Sequence, residues 1–563
     1  MCGGKRSLLK TITVSLVIFL AVLLFLSGCS GKNEPANQND NNNNNSQIEN
    51  NANNEEPVAE GPRRGGEVHF YYDQDPTTFL VGTLSQPGGG IGTYFYPGLI
   101  RLDLDRNPHP YAAKSWDISE DSRRITFYLR DDIKFTDGVP LTSADVKWTF
   151  EEISAKHSAQ MTPVFKQVTS IETPDDYTIV LNFDQPYGPL FVLLCAPYFG
   201  IHPKHRLEGK DLLTDPDAML DAVGWGPFKL AEWKSGEYII LERNEDYFEE
   251  GKPYLDRIIF RMITDTTAQL YAFENQEIDS MGATGAGGIL EHIPRLRELP
   301  FVGYREGLAD PAGMDLFFNL KNDKLSKFEV RAAICHAIDR ELINDMVWMG
   351  LGIPAISHFS PEFGNFYNPK VNLLQKYEYN PAKAEEMLDA AGYPRGSDGT
   401  RFELRLITSN TNQYLKNAQE VIIDQLRAVG IKVIPENFDV TGITQRVYES
   451  HDFDMKVWHC TQGADPIIGV ERWCLSDYYG SGRFAQNPTG YANERVDELF
   501  WIAKTSAVPE ERISAFHEIQ EILAEEMPYL PLNNPPSIGL YNNRMQDYGF
   551  YLNHFMQDVW VKE

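Results

Sequence analysis

Cysteine carries the most reactive chemistry in this chain, and its six copies fall in different settings. Cys29 follows Leu26-Ser27-Gly28, which close an apolar run from Leu8 to Phe25 that is preceded by Lys5, Arg6 and Lys10. The basic start and apolar centre are parts of a secretory signal, and small residues directly before a cysteine resemble the bacterial lipobox. The implied chemistry is acylation of the Cys29 sulfur and cleavage just before it. Each acyl chain contributes about 0.8 kcal/mol per buried methylene, and more than one chain gives stable anchoring. A plain transmembrane anchor is the competing expectation, because about 18 apolar residues nearly span a bilayer. The small-residue ending, in place of a basic stop-transfer flank, favours the lipobox.

Cys2 is lost with such a signal, leaving Cys195, Cys335, Cys460 and Cys474, too few for a disulfide scaffold. An extracytoplasmic address permits bridges, and Cys460 with Cys474 is the closest pair in sequence. Cys335 sits on the apolar side of a helical pattern and reads as packed. Neither CxxC nor HExxH occurs, so zinc chemistry has no support. GxSxG is also missing, and the carboxylates are too numerous to pair by sequence. The sequence therefore offers no support for a hydrolase, and no cofactor and no metal are expected.

The elements that position such groups are mixed. Alternation in Arg124–Leu129 and in Tyr177–Leu181 predicts strands flanked by turn residues. Thr142 with Asp145 predicts a capping box ahead of Val146 and Phe150. Ser326 with Glu329 repeats the device before one apolar stripe of Val330, Ala333, Ile334, Ala337, Ile338 and Leu342. Asn380-Pro381 opens another helix that Gly392 and Pro394 close. Ile513, Phe516, Ile519 and Leu523 mark a late amphipathic helix before Pro528. Strands and helices without a strict period imply an α/β or mixed α+β body, and no internal repeat is visible.

From Lys32 to Arg64 the chain is Asn, Asp, Glu, Gln and Pro with almost nothing apolar to bury, which reads as a disordered tether. Beyond it, about 500 residues suffice for two or three cores. The formal net charge is −29, and loss of residues 1 to 28, with three basic and no acidic side chains, takes it to −32. That charge argues against nucleic acid as a partner.

Several ordered blocks then resemble the signature of family 5 extracellular solute-binding proteins, the peptide and nickel receptors of ABC importers. They are Ser115–Asp121, Phe127–Arg130, Phe135–Leu141 with Ala144-Asp145-Val146, Gly224–Phe228, Leu241–Phe248 and Pro253–Asp256. Phe318-Asn319, Arg331-Ala332-Ala333, Ala337–Arg340 and Gly490–Asn493 with Asp497 continue the series to about Leu532. Most of these residues read as structural: Gly138, Gly226 and Pro227 as turns, Asp145 as a cap, Asp339-Arg340 as an ion pair. Trp225 stands where the family pattern has a small residue.

The resemblance implies a two-lobed periplasmic-binding-protein-like fold of type II (cluster C) with an extra domain, closing by a hinge. Its implied division is a signal at 1–28, a lipid anchor and tether at 29–64, and lobe I from 65–100, 222–312 and 530–563. Domain II is then 101–221 and lobe III 313–529. The implied role is a lipid-anchored extracytoplasmic receptor that captures short peptides and delivers them to a membrane permease, most simply as a monomer. An oligosaccharide receptor and a non-transporting sensory lipoprotein are the alternatives.

The family places ligand contacts in the strand and loop after Asp452–Met455, here Trp458, His459, Cys460, Thr461 and Gln462, followed by Asp465. Peptide-binding members have an aspartate three positions after the tryptophan, and this chain has Thr461 there. Asp465 is open to two roles, partner of a ligand ammonium or cap of the following turn. Arg472 and Trp473 offer a carboxylate partner and a flat apolar face, against the reading of a packed aromatic beside a solvated arginine. Tyr94, after Gly88-Gly89-Gly90, lies where family members begin to contact solute. His459 suggests a metal chelate least of all, since a lone strand histidine is usually packed.

Overall fold

The structure is a computed structural model that describes residues 61–83, 89–103, 106–158, 160–284, 289–306, 311–506, 508–549, 551–552 and 556–562. Cys29 with its signal, most of the Asn-rich segment and Gly88 lie outside the described residues. Among the described residues no helix is long and apolar enough to cross a membrane.

Two large apolar cores organise the body. The first gathers side chains from Val68 to Phe260 and from Met545 to Val559. Over it lie a sheet in the order Glu67–Tyr72, Arg257–Met262, Tyr238–Arg243, Phe228–Lys234 and a second in the order Ala113–Ile118, Arg124–Leu129, Thr178–Phe183, Val168–Asp175. The strands expected at 124–129 and 177–181 both form. The second core runs from Leu270 to Leu540. Leu270, Phe273, Leu290 and Leu296 share it with the later sheet.

That later sheet has six strands in the order Ile353–Pro354, Tyr529–Asn534, Ala312–Phe318, Met455–Thr461, Phe402–Ser409, Ile431–Phe438. The last three run parallel to one another, and Ala312–Phe318 pairs antiparallel with Met455–Thr461. Helices cover one face through the second core. A smaller core around Phe317, Trp473, Phe516 and Tyr529 covers the other.

Local signals largely hold. Asp145 accepts from the Thr142 amide at 2.9 Å, Asn380 caps Pro381–Ala390, and the late helix spans Pro509–Glu526. The stripe expected from Val330 to Leu342 is instead two helices, Phe328–Ala337 and Arg340–Trp348. Ile338 is extended, and the Asp339 carboxylate accepts from the Glu341 and Leu342 amides, which starts a new helix. Leu342 is 42% exposed as a result. Asp339 and Arg340 are structural without pairing each other, since the Arg340 guanidinium donates to the carbonyls of Ala355, Leu373 and Tyr377.

Gly224 and Gly226 serve close approach rather than turns: a Cβ on either would lie 2.0 Å from the carbonyl oxygens of Phe95 and Tyr94 respectively. Trp225 between them is 1% exposed and packs on Tyr111 at 5.2 Å. A bulky residue fits there because its side chain enters the first core while the flanking glycines hold the backbone against Phe95 and Tyr94.

Candidate functional site

The strand Met455–Thr461 sends alternate side chains to opposite faces. Lys456, Trp458 and Cys460 face the smaller core, and Met455, Val457 and His459 face the larger one. Its register sets Asp315 opposite Trp458, Met314 opposite His459 and Gly313 opposite Cys460.

At the end of this strand the expected ligand residues divide by what already holds them. Gln462 is buried; its amide nitrogen donates to the His358 carbonyl at 3.2 Å and its oxygen accepts from the Ser360 amide at 2.9 Å. Arg472 straps the loop by donating to the carbonyls of Thr461 at 2.9 Å and Gly469 at 3.1 Å. One Asp465 oxygen accepts from the Ile467 amide at 3.0 Å, and the other pairs with Arg512 at 2.7 Å. Its capping role is the one realised, and no lone carboxylate is left there for a ligand ammonium. Trp473 is 3% exposed and packs on Phe317 at 5.4 Å, so it is a core residue rather than a ligand face. Cys460 and Cys474 are buried free thiols with no bridge between them, and burial pushes both well above the usual thiol range. Cys335 is packed in the larger core.

Trp458, His459 and Thr461 are less committed. Trp458 is half-buried with its ring edge-on to Phe484 at 5.6 Å. The His459 ring meets Tyr414 edge-on at 6.1 Å, and its Nε2 is buried without a hydrogen-bond partner. Burial lowers its pKa and keeps it neutral. Thr461 is exposed. Tyr94 belongs to the first core, where its ring packs on Phe260 at 5.8 Å and Phe228 at 6.3 Å. Gly89–Gly92 form a helical turn just before it.

A buried charged cluster behind this surface escaped the sequence reading. Lys456 has no exposed area; its ammonium lies 4.7 Å from the Phe317 ring, 4.8 Å from Tyr448, 5.4 Å from Trp458 and 5.7 Å from Trp473. Such a box suits a cation that has lost its water. Burial brings its pKa down to about 8, against the nearby acidic groups Cys460 and Asp315. Burial drives Asp315 up to about 7, partly offset by a hydrogen bond from the Cys460 thiol and by Lys456. The available signal was a charged residue inside each apolar run, Met455-Lys456-Val457 and Met314-Asp315-Leu316.

The groups left uncommitted at the end of this strand are a half-exposed indole, a neutral imidazole and an exposed hydroxyl, none of them charged. Nothing here activates a nucleophile, and no group of three metal-ligating side chains occurs among the described residues.

Residues 107–479 match the family model described as bacterial extracellular solute-binding proteins, family 5 middle. The chain is 26% identical over 561 residues to the oligopeptide-binding protein AppA of Bacillus subtilis, covering 96% of each. It is 26% identical over 462 residues to the glutathione-binding protein GsiB of Salmonella paratyphi A, covering 80% of this chain and 84% of that one. The structure of NikA from Brucella suis in complex with Fe(III)-EDTA matches with a TM-score of 0.77 at 23% identity, over 88% of this chain and 100% of that one.

Proposed function

The chain belongs to the bacterial extracellular solute-binding proteins of family 5, and on that premise we propose a lipid-anchored receptor that captures short peptides by lobe closure and delivers them to an ABC permease. The fold is that of the two-lobed type II binding proteins with an extra domain, and the protein is a solute-binding receptor rather than an enzyme. The observation that carries the peptide reading is the match, over nearly the whole chain, to the oligopeptide receptor of Bacillus subtilis. With Asp465 held by Arg512 and Thr461 exposed, a peptide on this reading is held through its backbone and the Trp458 face rather than through its ammonium.

Anchoring through Cys29 belongs to this proposal. It gives the receptor a high local concentration at its permease. Replacing Cys29 with Ser should release the protein from cells.

Native mass spectrometry of the purified protein, followed by calorimetry with one peptide in free-amine and N-acetylated forms, tests the substrate. A co-purified peptide and affinities within about threefold of each other are expected, because no ammonium partner is lost on acetylation. A retained oligosaccharide overturns the peptide reading. That alternative draws on the half-exposed Trp458, whose ring is a stacking surface for a sugar face.

A further inference from the structure

The first core meets the smaller core of the six-stranded sheet behind the loop that follows Thr461. Arg106 Nη1 donates to the Ala464 carbonyl at 3.1 Å, and the Gly188 amide donates to the Lys504 carbonyl at 2.8 Å. Ile468, from the helical turn Pro466–Gly469, packs its side chain on the first core. Tyr187 lies half-buried beside Glu471, Asp465 and Arg512. The receiving side is stiff: Asp465 pairs with Arg512, and Lys504 pairs with Glu471. Arg512 also donates to the Ala503 carbonyl at 2.7 Å and sits over the Phe366 ring at 4.9 Å.

We propose that these groups form a clasp that holds the two bodies closed by gripping the ligand loop from behind, with Arg106, Gly188 and Ile468 as positioning residues that touch no solute. The proposal rests on closure being the working motion of the receptor. Ala464 and Asp465 belong to the loop that starts at Thr461, so a grip on them carries lobe contact to the ligand surface through one rigid segment. Gly188 is required by geometry: a Cβ there would lie 2.7 Å from Arg512 Nε, and Arg512 is too well held to move away. A clasp of this kind raises the closed population before solute arrives, and it raises apparent affinity by the same factor.

The test uses the full chain with no solute added, so failure of the peptide reading leaves its outcome unaffected. Arg106→Met, Gly188→Val and Ile468→Ser are compared with wild type by small-angle X-ray scattering and by amide hydrogen exchange. The expected result is a larger radius of gyration and about tenfold faster exchange at residues 462–469 in each variant, with exchange in the six-stranded sheet unchanged. Arg106→Met removes the hydrogen bond to the Ala464 carbonyl while keeping a side chain of similar length, so it decides the matter if Gly188→Val does not fold. Scattering and loop exchange equal to wild type in Arg106→Met and Ile468→Ser would overturn the clasp.

Discussion

The Lys456 ammonium donates to the Tyr448 hydroxyl at 2.5 Å, inside a protein region with no water-exposed surface on the lysine. Tyr448 comes from the π-helical turn Thr444–Glu449, a rare geometry that widens the helix and often marks a specialised position. The pair ties that turn to the strand bearing Trp458, and Trp458 completes the aromatic box around the same ammonium. Tyr448→Phe removes a hydroxyl from a buried cation and is expected to cost about 1 to 3 kcal/mol. The check is the urea midpoint at constant m-value. The loss should shrink above pH 9, where Lys456 is neutral and needs its acceptor less.

Asp315 gives stability a pH dependence of unusual sign. Its folded pKa is raised to about 7 from the ordinary 3.8, so the folded state binds the extra proton between those values. Its contribution is fully present below pH 4 and is lost as pH rises through 7, with a slope of about 1.4 kcal/mol per unit where one proton separates the states. Lys456 acts oppositely above pH 8: its folded pKa is depressed from 10.5, so the unfolded state binds more protons and stability recovers toward pH 10. Asp315→Asn should flatten the fall between pH 4 and 7 in a series of denaturant melts. A wild-type and variant pair with parallel curves would count against it.

How much of this was legible depended on whether the deciding contact was near in sequence. The caps at Thr142 and Asn380 are local, and each was readable because donor and acceptor lie three residues apart. The helix break at Ile338 was not, because an apolar residue followed by Asp-Arg continues the stripe as well as it ends it. At the site, the resemblance led to the strand Met455–Thr461, but it did not separate facing residues from committed ones. Gln462 is taken up by His358 and Ser360, more than 100 positions away, and Asp465 by Arg512, 47 positions away. No spacing rule reaches such partners.

Thr461 is the position where substitution should alter binding with little effect on folding, since it is exposed, whereas Trp458 also walls the Lys456 box, so its variant is compared at temperatures where it is folded. Trp458→Ala is expected to abolish the thermal shift that a peptide mixture gives to wild type. Thr461→Asp adds a carboxylate to a neutral surface and should create a preference of about tenfold for free-amine over N-acetylated peptide. An unchanged thermal shift in Trp458→Ala would move the site to another segment.

Gly226 links the first core to Tyr94 through backbone alone. Its amide and that of Trp225 donate to the Phe95 carbonyl at 3.0 and 2.9 Å, and a Cβ at 226 would stand 2.0 Å from the Tyr94 carbonyl oxygen. Backbone on both sides leaves no flexible group to yield, so Gly226→Ala must push the Tyr94 segment away and break these two hydrogen bonds. Loss of both gives an expected cost of about 2 to 3 kcal/mol. Trp225→Ala is the control: it empties a buried indole site for about 3 to 5 kcal/mol yet leaves the Tyr94 backbone in register. If Tyr94 serves the solute, Gly226→Ala weakens peptide binding at temperatures where both variants are folded, whereas Trp225→Ala retains it. Equal affinities in calorimetry of the two variants would mean that Tyr94 is a packing residue of the first core and nothing more.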